Sequence, residues 1–169
     1  MKYRTGLFIG RFQPFHKGHL NILKKILRFV DQLIIGIGSA NVSNSDNPLS
    51  YDSRKKIFDE IIRQENLHQK IIKIILIDDD PSDDVWLKKT LEIVGEFDTV
   101  IGNNEWTNTV FEKAGYNVIR PGYYRRNIYE GRKIRQLMKE RKDWEERVPA
   151  YTISDLKTQM SNVKIITQI

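Results

Sequence analysis

Gly10-Arg11-Phe12-Gln13-Pro14-Phe15-His16-Lys17-Gly18-His19 decides how the rest of this 169-residue chain is read. The apolar run Leu7-Phe8-Ile9 ahead of it predicts a buried strand. Behind it, Leu20, Leu23, Leu27 and Val30, with Ile22, Ile26 and Phe29 alongside, recur at the three-and-four spacing of an amphipathic helix. The decapeptide therefore closes a strand and opens a helix, and it carries two imidazoles, a Lys and an Arg. A helix opening presents unpaired N–H groups and the positive end of the macrodipole, where phosphates bind. Gly10 and Gly18 permit close backbone approach, and Pro14 fixes the turn. The stretch reads as a cradle for a triphosphate.

Two other phosphate cradles do not fit. The loop lacks both Gly-x-x-x-x-Gly-Lys-Ser/Thr and Gly-x-Gly-x-x-Gly. It has His-x-Gly-His instead, which can aim both imidazoles at one site, each donating an N–H to a phosphoryl oxygen. A zinc reading is disfavoured, because the chain has no Cys, three His in all and no His-Glu-x-x-His. No metal ligand is assigned to the protein.

Outward from this loop, the length suits one domain with a real core. The expected organisation is a single domain over 1–169, with about 150–169 a C-terminal helical extension. No apolar run approaches the ~20 residues of a membrane span. Met1-Lys2-Tyr3-Arg4-Thr5 runs straight into the first strand, so no leader is expected, and zero Cys fits a cytoplasmic protein. Net charge is +6. Arg120 to Arg147 holds ten basic and five acidic residues, so +5 of that excess lies in one segment. Such a cluster suits a small polyanion, and no recognised nucleic-acid-binding pattern accompanies it. Nucleic acid and membrane are not expected partners.

Further strands are predicted at Gln32 to Ile37, Ile71 to Ile77, Thr99 to Gly102 and Asn117 to Ile119. Gly38-Ser39-Ala40 opens a long polar loop, Asn41 to Pro48, of the kind that carries function. Ser50 is a candidate N-cap for a helix bearing Ile57, Phe58, Ile61 and Ile62, with Arg54 in its first turns. The strand at Ile71 runs into Asp78-Asp79-Asp80-Pro81-Ser82-Asp83-Asp84, which mostly reads as a capped, solvated helix start. One of these Asp could recognise a substrate amide, or organise magnesium through water. Trp86, at the mouth of that loop, is placed to stack on an aromatic base. Gly115 should close the helix carrying Val110 and Phe111. A helix from about Arg132 to Lys142 buries Ile134, Leu137 and Met138, and Thr152 to Met160 is helical. The end, Val163-Lys164-Ile165-Ile166, is apolar enough to pack on the core or another subunit. The fold class is α/β: a Rossmann-like, doubly wound, five-stranded parallel sheet with helices on both faces. Ligands in such sheets bind beyond the strands' carboxyl ends, where the singled-out loops lie.

Gly10 to His19 resembles the signature of the nucleotidylyltransferase superfamily. The longer form Gly-Arg-Phe-Gln-Pro-Phe-His-x-Gly-His is most similar to the archaeal type of nicotinamide-nucleotide adenylyltransferase. Further anchors are Gly38-Ser39-Ala40, the acidic loop with Trp86, Gly102-Asn103, and Tyr124 to Arg135, which resembles a second signature written Tyr-Ser-Gly-Thr-x-x-Arg. The likeness covers roughly Tyr3 to Pro149.

By that resemblance His16, His19 and Arg135 are the catalytic contacts to the ATP phosphates. Gly10, Phe12, Gln13, Lys17 and Gly18 belong to the ATP site, as do Gly102, Asn103, Arg126 and Arg132. Arg11, Ser39, Arg54, Asp80 and Trp86 hold the second substrate, nicotinamide mononucleotide, with Trp86 stacking on its ring. One departure stands out: Glu130 and Arg132 occupy the positions of the family's Ser and Thr. A carboxylate there repels phosphate unless a neighbour neutralises it, whereas Arg132 can offer a charge-assisted contact.

The implied reaction is attack by a nucleotide 5′-phosphate oxygen on the α-phosphorus of ATP, giving NAD and pyrophosphate. The attacking group is already an anion, so alignment and charge stabilisation are what the protein must supply. Magnesium would travel with ATP and pyrophosphate, held mostly through water and phosphate oxygens. A homo-oligomer is the expected assembly. Within the superfamily the acceptor could be a flavin, pantetheine or sugar phosphate, or the nucleotide CTP. Outside enzymes, the chain could be a nucleotide-binding regulator that lost catalysis through Glu130 and Arg132.

Overall fold

Five strands alternate with helices in the computed structural model, which describes residues 3–166, with side chains as far as Ser161. The strands are β1 (Tyr3–Gly10), β2 (Val30–Ile37), β3 (Ile71–Leu76), β4 (Thr99–Ile101) and β5 (Asn117–Ile119). The helices are α1 (Lys17–Ile26), α2 (Tyr51–Gln64), α3 (Asp83–Val94), α4 (Glu105–Lys113), α5 (Gly131–Glu140) and α6 (Ile153–Ile166). All strand pairs are parallel, in the order β3-β2-β1-β4-β5. The chain winds outward from β1 to β3, then returns to β1's other side as β4. The loops leaving β1 and β4 therefore diverge, and a crevice opens at the carboxyl ends of these strands. This is the doubly wound Rossmann-like sheet expected.

Successive strand side chains point to opposite faces, so two cores form. Leu7, Ile34 and Val100 pack with Trp86 and Val94 of α3 and with Val110 and Phe111 of α4. Phe8, Ile35 and Ile101 pack with residues of α1, α2, α5 and α6, Leu156 included. Ser50 caps α2, its hydroxyl accepting from Ser53 N at 3.1 Å. Gly115, at φ +87°, follows α4 in the left-handed conformation a helix stop requires.

Several boundaries differ from the expectation. The apolar spacing of the first helix runs on to Val30, but α1 ends at Ile26 and Val30 begins β2. Bonds from Arg28 N to Lys25 O and Phe29 N to Ile26 O tighten the last turn and let Tyr3 N reach Phe29 O. β1 begins at Tyr3, because Thr5 and Gly6 pair with Gln32 and Leu33 although neither is apolar enough to signal a strand. α5 ends at Glu140, with Arg141 at φ +57°. A 3₁₀ turn over Ala150–Thr152 precedes α6, which runs past Met160 to Ile166. The expected packing of Val163 to Ile166 concerns side chains outside the described residues.

Candidate active site

His16 is the N-cap of α1 and His19 stands three residues on, so each can reach the other's backbone. His16 Nδ1 accepts from His19 N at 3.2 Å, and His19 Nδ1 accepts from His16 N at 3.3 Å. The two rings stack with centroids 3.6 Å apart. Burial pulls His16 down to about 4, opposed by its backbone hydrogen bond. His19 falls well below its ordinary value, through burial first and the neighbouring His16 second. Both rings are therefore neutral at pH 7. With each Nδ1 already accepting, the ring proton sits on Nε2. The pair presents two N–H donors without adding charge.

Both imidazoles line a cavity of about 530 Å³ at the crevice. Arg11, Arg126, Arg132 and Arg135 line it as well, so four guanidinium groups and two imidazole donors share one space. Arg135 comes from the first turns of α5 and is fixed by its Nη1, which donates to Gln13 O at 2.8 Å. A Cβ on Gly18 would stand 2.7 Å from Tyr129 Cβ, so only glycine lets the opening of α1 meet the loop before α5 this closely. Glu130 also lines the cavity, as the N-cap of α5 without a side-chain cap bond. Its Oε2 lies 3.5 Å from Lys133 Nζ, which supplies the neutralising neighbour such a residue needs here.

A second cavity of about 320 Å³ adjoins the first and shares Ile9, Gly10, Arg11 and Asn104 with it. Ser39, Asp80 and Trp86 line it, together with Asp79, Trp106 and Thr107. Ser39 donates its hydroxyl to Asp79 Oδ1 at 3.0 Å. Asp80 pairs with Lys89 at 2.8 Å, and that hydrogen bond holds its carboxyl below the usual range. Among the described residues Arg11 is the one cation that lies on both cavities. A group bound in either can therefore meet the other beside Arg11.

Other predicted site residues sit differently. Arg54 was expected on a substrate phosphate, but it is 1% exposed and lines neither cavity. Its guanidinium donates to the carbonyls of Arg11 (2.8 Å), Gly38 (2.6 Å), Ser39 (3.3 Å) and Ser50 (3.2 Å). Arg54 is a fastener for the loops that follow β1 and β2. Gln13 lines the larger cavity, yet its amide both donates to Leu49 O and accepts from Leu49 N. Its part in the site is the carbonyl that holds Arg135. Phe12 also lines the cavity, but its ring packs edge-on against Phe8 and Phe58.

Lys17 is exposed and lines neither cavity. Neighbouring helix positions face about 100° apart, so a helix that turns His16 and His19 to the crevice turns Lys17 away. Gly102 likewise lies outside both linings, whereas Asn103 lines the larger one. The Asn103 amide donates to Gly122 O and accepts from Gly122 N, tying the loop after β4 to the loop after β5. Trp86 is 3% exposed and packs at 4.7 Å on Trp106. Trp106 is 44% exposed, its Nε1 donating to Asp83 Oδ1, so the indole open to solvent in this cavity is Trp106.

The sequence reading misses Trp106 and Tyr123, and gives no role to Tyr124 and Tyr129, which lie in the second-signature stretch and line the larger cavity with Tyr123. Their signal was position: Trp106 follows Asn103 by three residues, and the three Tyr flank the basic run before α5. Tyr123 carries Arg126 over its ring, 4.0 Å from the centroid.

The chain matches a cytidylyltransferase-like family model over residues 7–159. It is 36% identical over 167 residues to a nicotinamide-nucleotide adenylyltransferase of Archaeoglobus fulgidus, covering 96% of this chain and 95% of that one. A Methanococcus aeolicus protein of the same name is 38% identical over 144 residues, covering 85% of this chain and 82% of its own. In fold the chain resembles a bifunctional NMN adenylyltransferase/ADP ribose pyrophosphatase from Francisella tularensis, with a TM-score of 0.75 at 22% identity. That match covers 95% of this chain and 51% of the larger protein.

Proposed function

The chain belongs to the cytidylyltransferase-like family, and from that premise we propose that it transfers the AMP moiety of ATP to nicotinamide mononucleotide, releasing pyrophosphate and giving NAD. The observation that carries the reading is one cavity lined by neutral His16 and His19 with Arg11, Arg132 and Arg135, opening beside a second cavity through Arg11. ATP occupies the larger space and the mononucleotide the smaller. Two polyanions repel each other in water, and cations with preset N–H donors offset that repulsion where the phosphates meet. The mononucleotide 5′-phosphate oxygen attacks the α-phosphorus, and the bond to the pyrophosphate oxygen breaks. Charge then builds on the leaving group, where the Nε2 donors and Arg135 stand. No general base is required, because the nucleophile arrives ionised.

Magnesium enters with ATP as part of the substrate. Imidazole N–H and guanidinium groups donate to phosphate oxygens and do not ligate a cation. Among the described residues no group of three or more His, Asp or Glu is placed to hold a metal. No helix among them is long and apolar enough to cross a membrane. The reading includes one domain over the whole chain, supported by the burial of α6 Leu156 in the common core. It also includes a homo-oligomer in the cytoplasm, with the open edge of β3, where Ile72 and Leu76 are exposed, as the available apolar surface. Incubation with ATP and a panel of phosphate acceptors, scored by pyrophosphate and NAD, tests the activity. The reading predicts fastest release with nicotinamide mononucleotide. Faster release with a flavin, pantetheine or sugar phosphate overturns the assignment of the acceptor.

A further inference from the structure

Arg135 does not stand free in the larger cavity. While its Nη1 is anchored on Gln13 O, its Nη2 donates to Asp46 Oδ1 at 2.7 Å. The two partners are held unequally: the Arg135 side chain is 12% exposed and the Asp46 side chain 66%. The guanidinium belongs to the site, and the carboxylate is a visitor from the polar loop between β2 and α2. That loop is braced on itself, with Asp46 N and Asn47 N both donating to Asn44 Oδ1 at 3.0 Å. Asn44 and Asn47 also exchange backbone bonds. Its tip can therefore shift as a unit. Arg135 holds the Asp46 carboxyl below the usual range, and Arg11 and Arg132 add to that pull. Three of the four guanidinium groups that line the cavity thus already face one anion supplied by the chain itself.

We propose that Asp46 is a tethered stand-in for a phosphate: it occupies Arg135 in the empty enzyme and must leave when a triphosphate binds. This rests on the larger cavity being the ATP site. A tethered competitor lowers apparent affinity by the fraction of time the site is free. For a largely exposed acid on one guanidinium, that amounts to about two- to sixfold. The contact costs affinity only for ligands that reach Arg135, so AMP, lacking the outer phosphates, is unaffected.

Calorimetric titration of ATP and AMP into the parent and Asp46→Asn proteins tests this. The expected result is an ATP Kd lowered about two- to sixfold with the AMP Kd unchanged, and no gain for ATP when Asp46→Asn is combined with Arg135→Ala. Unchanged or weaker ATP binding by Asp46→Asn overturns the proposal, as does an equal gain for AMP. If Arg135→Ala alone binds ATP as tightly as the parent, the triphosphate reading of the cavity has failed and the stand-in falls with it.

Discussion

Arg54 shows how far a residue's chemistry can mislead without its partners. A cation early in a helix beyond a strand end matches a phosphate ligand, yet four backbone carbonyls take its donors. Burial lowers its guanidinium to about 10, still charged at neutral pH. Arg54→Ala leaves buried carbonyls unpaired, which costs about 3–5 kcal/mol for a buried charged group that loses its network. The expected outcome is a large drop in the thermal midpoint. A raised KM with an unchanged midpoint would restore the phosphate role. The sequence revealed Arg54's place on α2 but not its partners, since Arg11 and Gly38 are brought to it only by the folded sheet. Asp46 was illegible for the same reason, lying 89 positions from Arg135. His16 and His19 were legible because their spacing is itself the local structure.

At the scale of elements, the site depends on how closely the opening of α1 meets the loop before α5. Gly18 and Gly131 keep that approach clear: a Cβ on Gly131 would stand 3.1 Å from Gln13 O, the carbonyl that holds Arg135. Gly18→Ala separates two effects of opposite sign. Helix propensity alone would favour Ala by about 1 kcal/mol. The 2.7 Å approach to Tyr129 Cβ opposes it, at about 1–3 kcal/mol for overpacking. The predicted result is a lower urea midpoint together with a higher KM for ATP. A gain in stability with KM unchanged would mean the two loops do not depend on each other. Strand and helix identities were legible from apolar spacing, and their ends less so. Apolar spacing continues from α1 through Phe29 to Val30, and only the pairing of β1 with β2 shows where the helix must stop.

For the whole molecule, two neutral imidazoles, His16 buried and His19 half-buried, make stability depend on pH. Their folded values lie below the ordinary 6.5, with His16 near 4. The unfolded chain therefore binds more protons between those values, and stability falls as pH drops below about 6.5. His16 alone contributes a loss on the order of 3 kcal/mol by pH 4. Urea midpoints should decline from pH 6.5 to 5, before most carboxylates titrate. A flat profile there would contradict burial of the pair as neutral rings. The doubly wound topology was readable from strand and helix alternation. The meeting of two cavities at Arg11 was not, because it depends on where β1 and β4 diverge.

That meeting point is the core of the account: neutral imidazole donors and fixed guanidinium groups align two anions for displacement at phosphorus. The most direct test is the maximal rate of pyrophosphate release by His19→Ala, with ATP and nicotinamide mononucleotide both saturating. Loss of one preset donor at the leaving phosphates predicts a fall of roughly a hundredfold or more. Turnover within a few-fold of the parent would contradict the account.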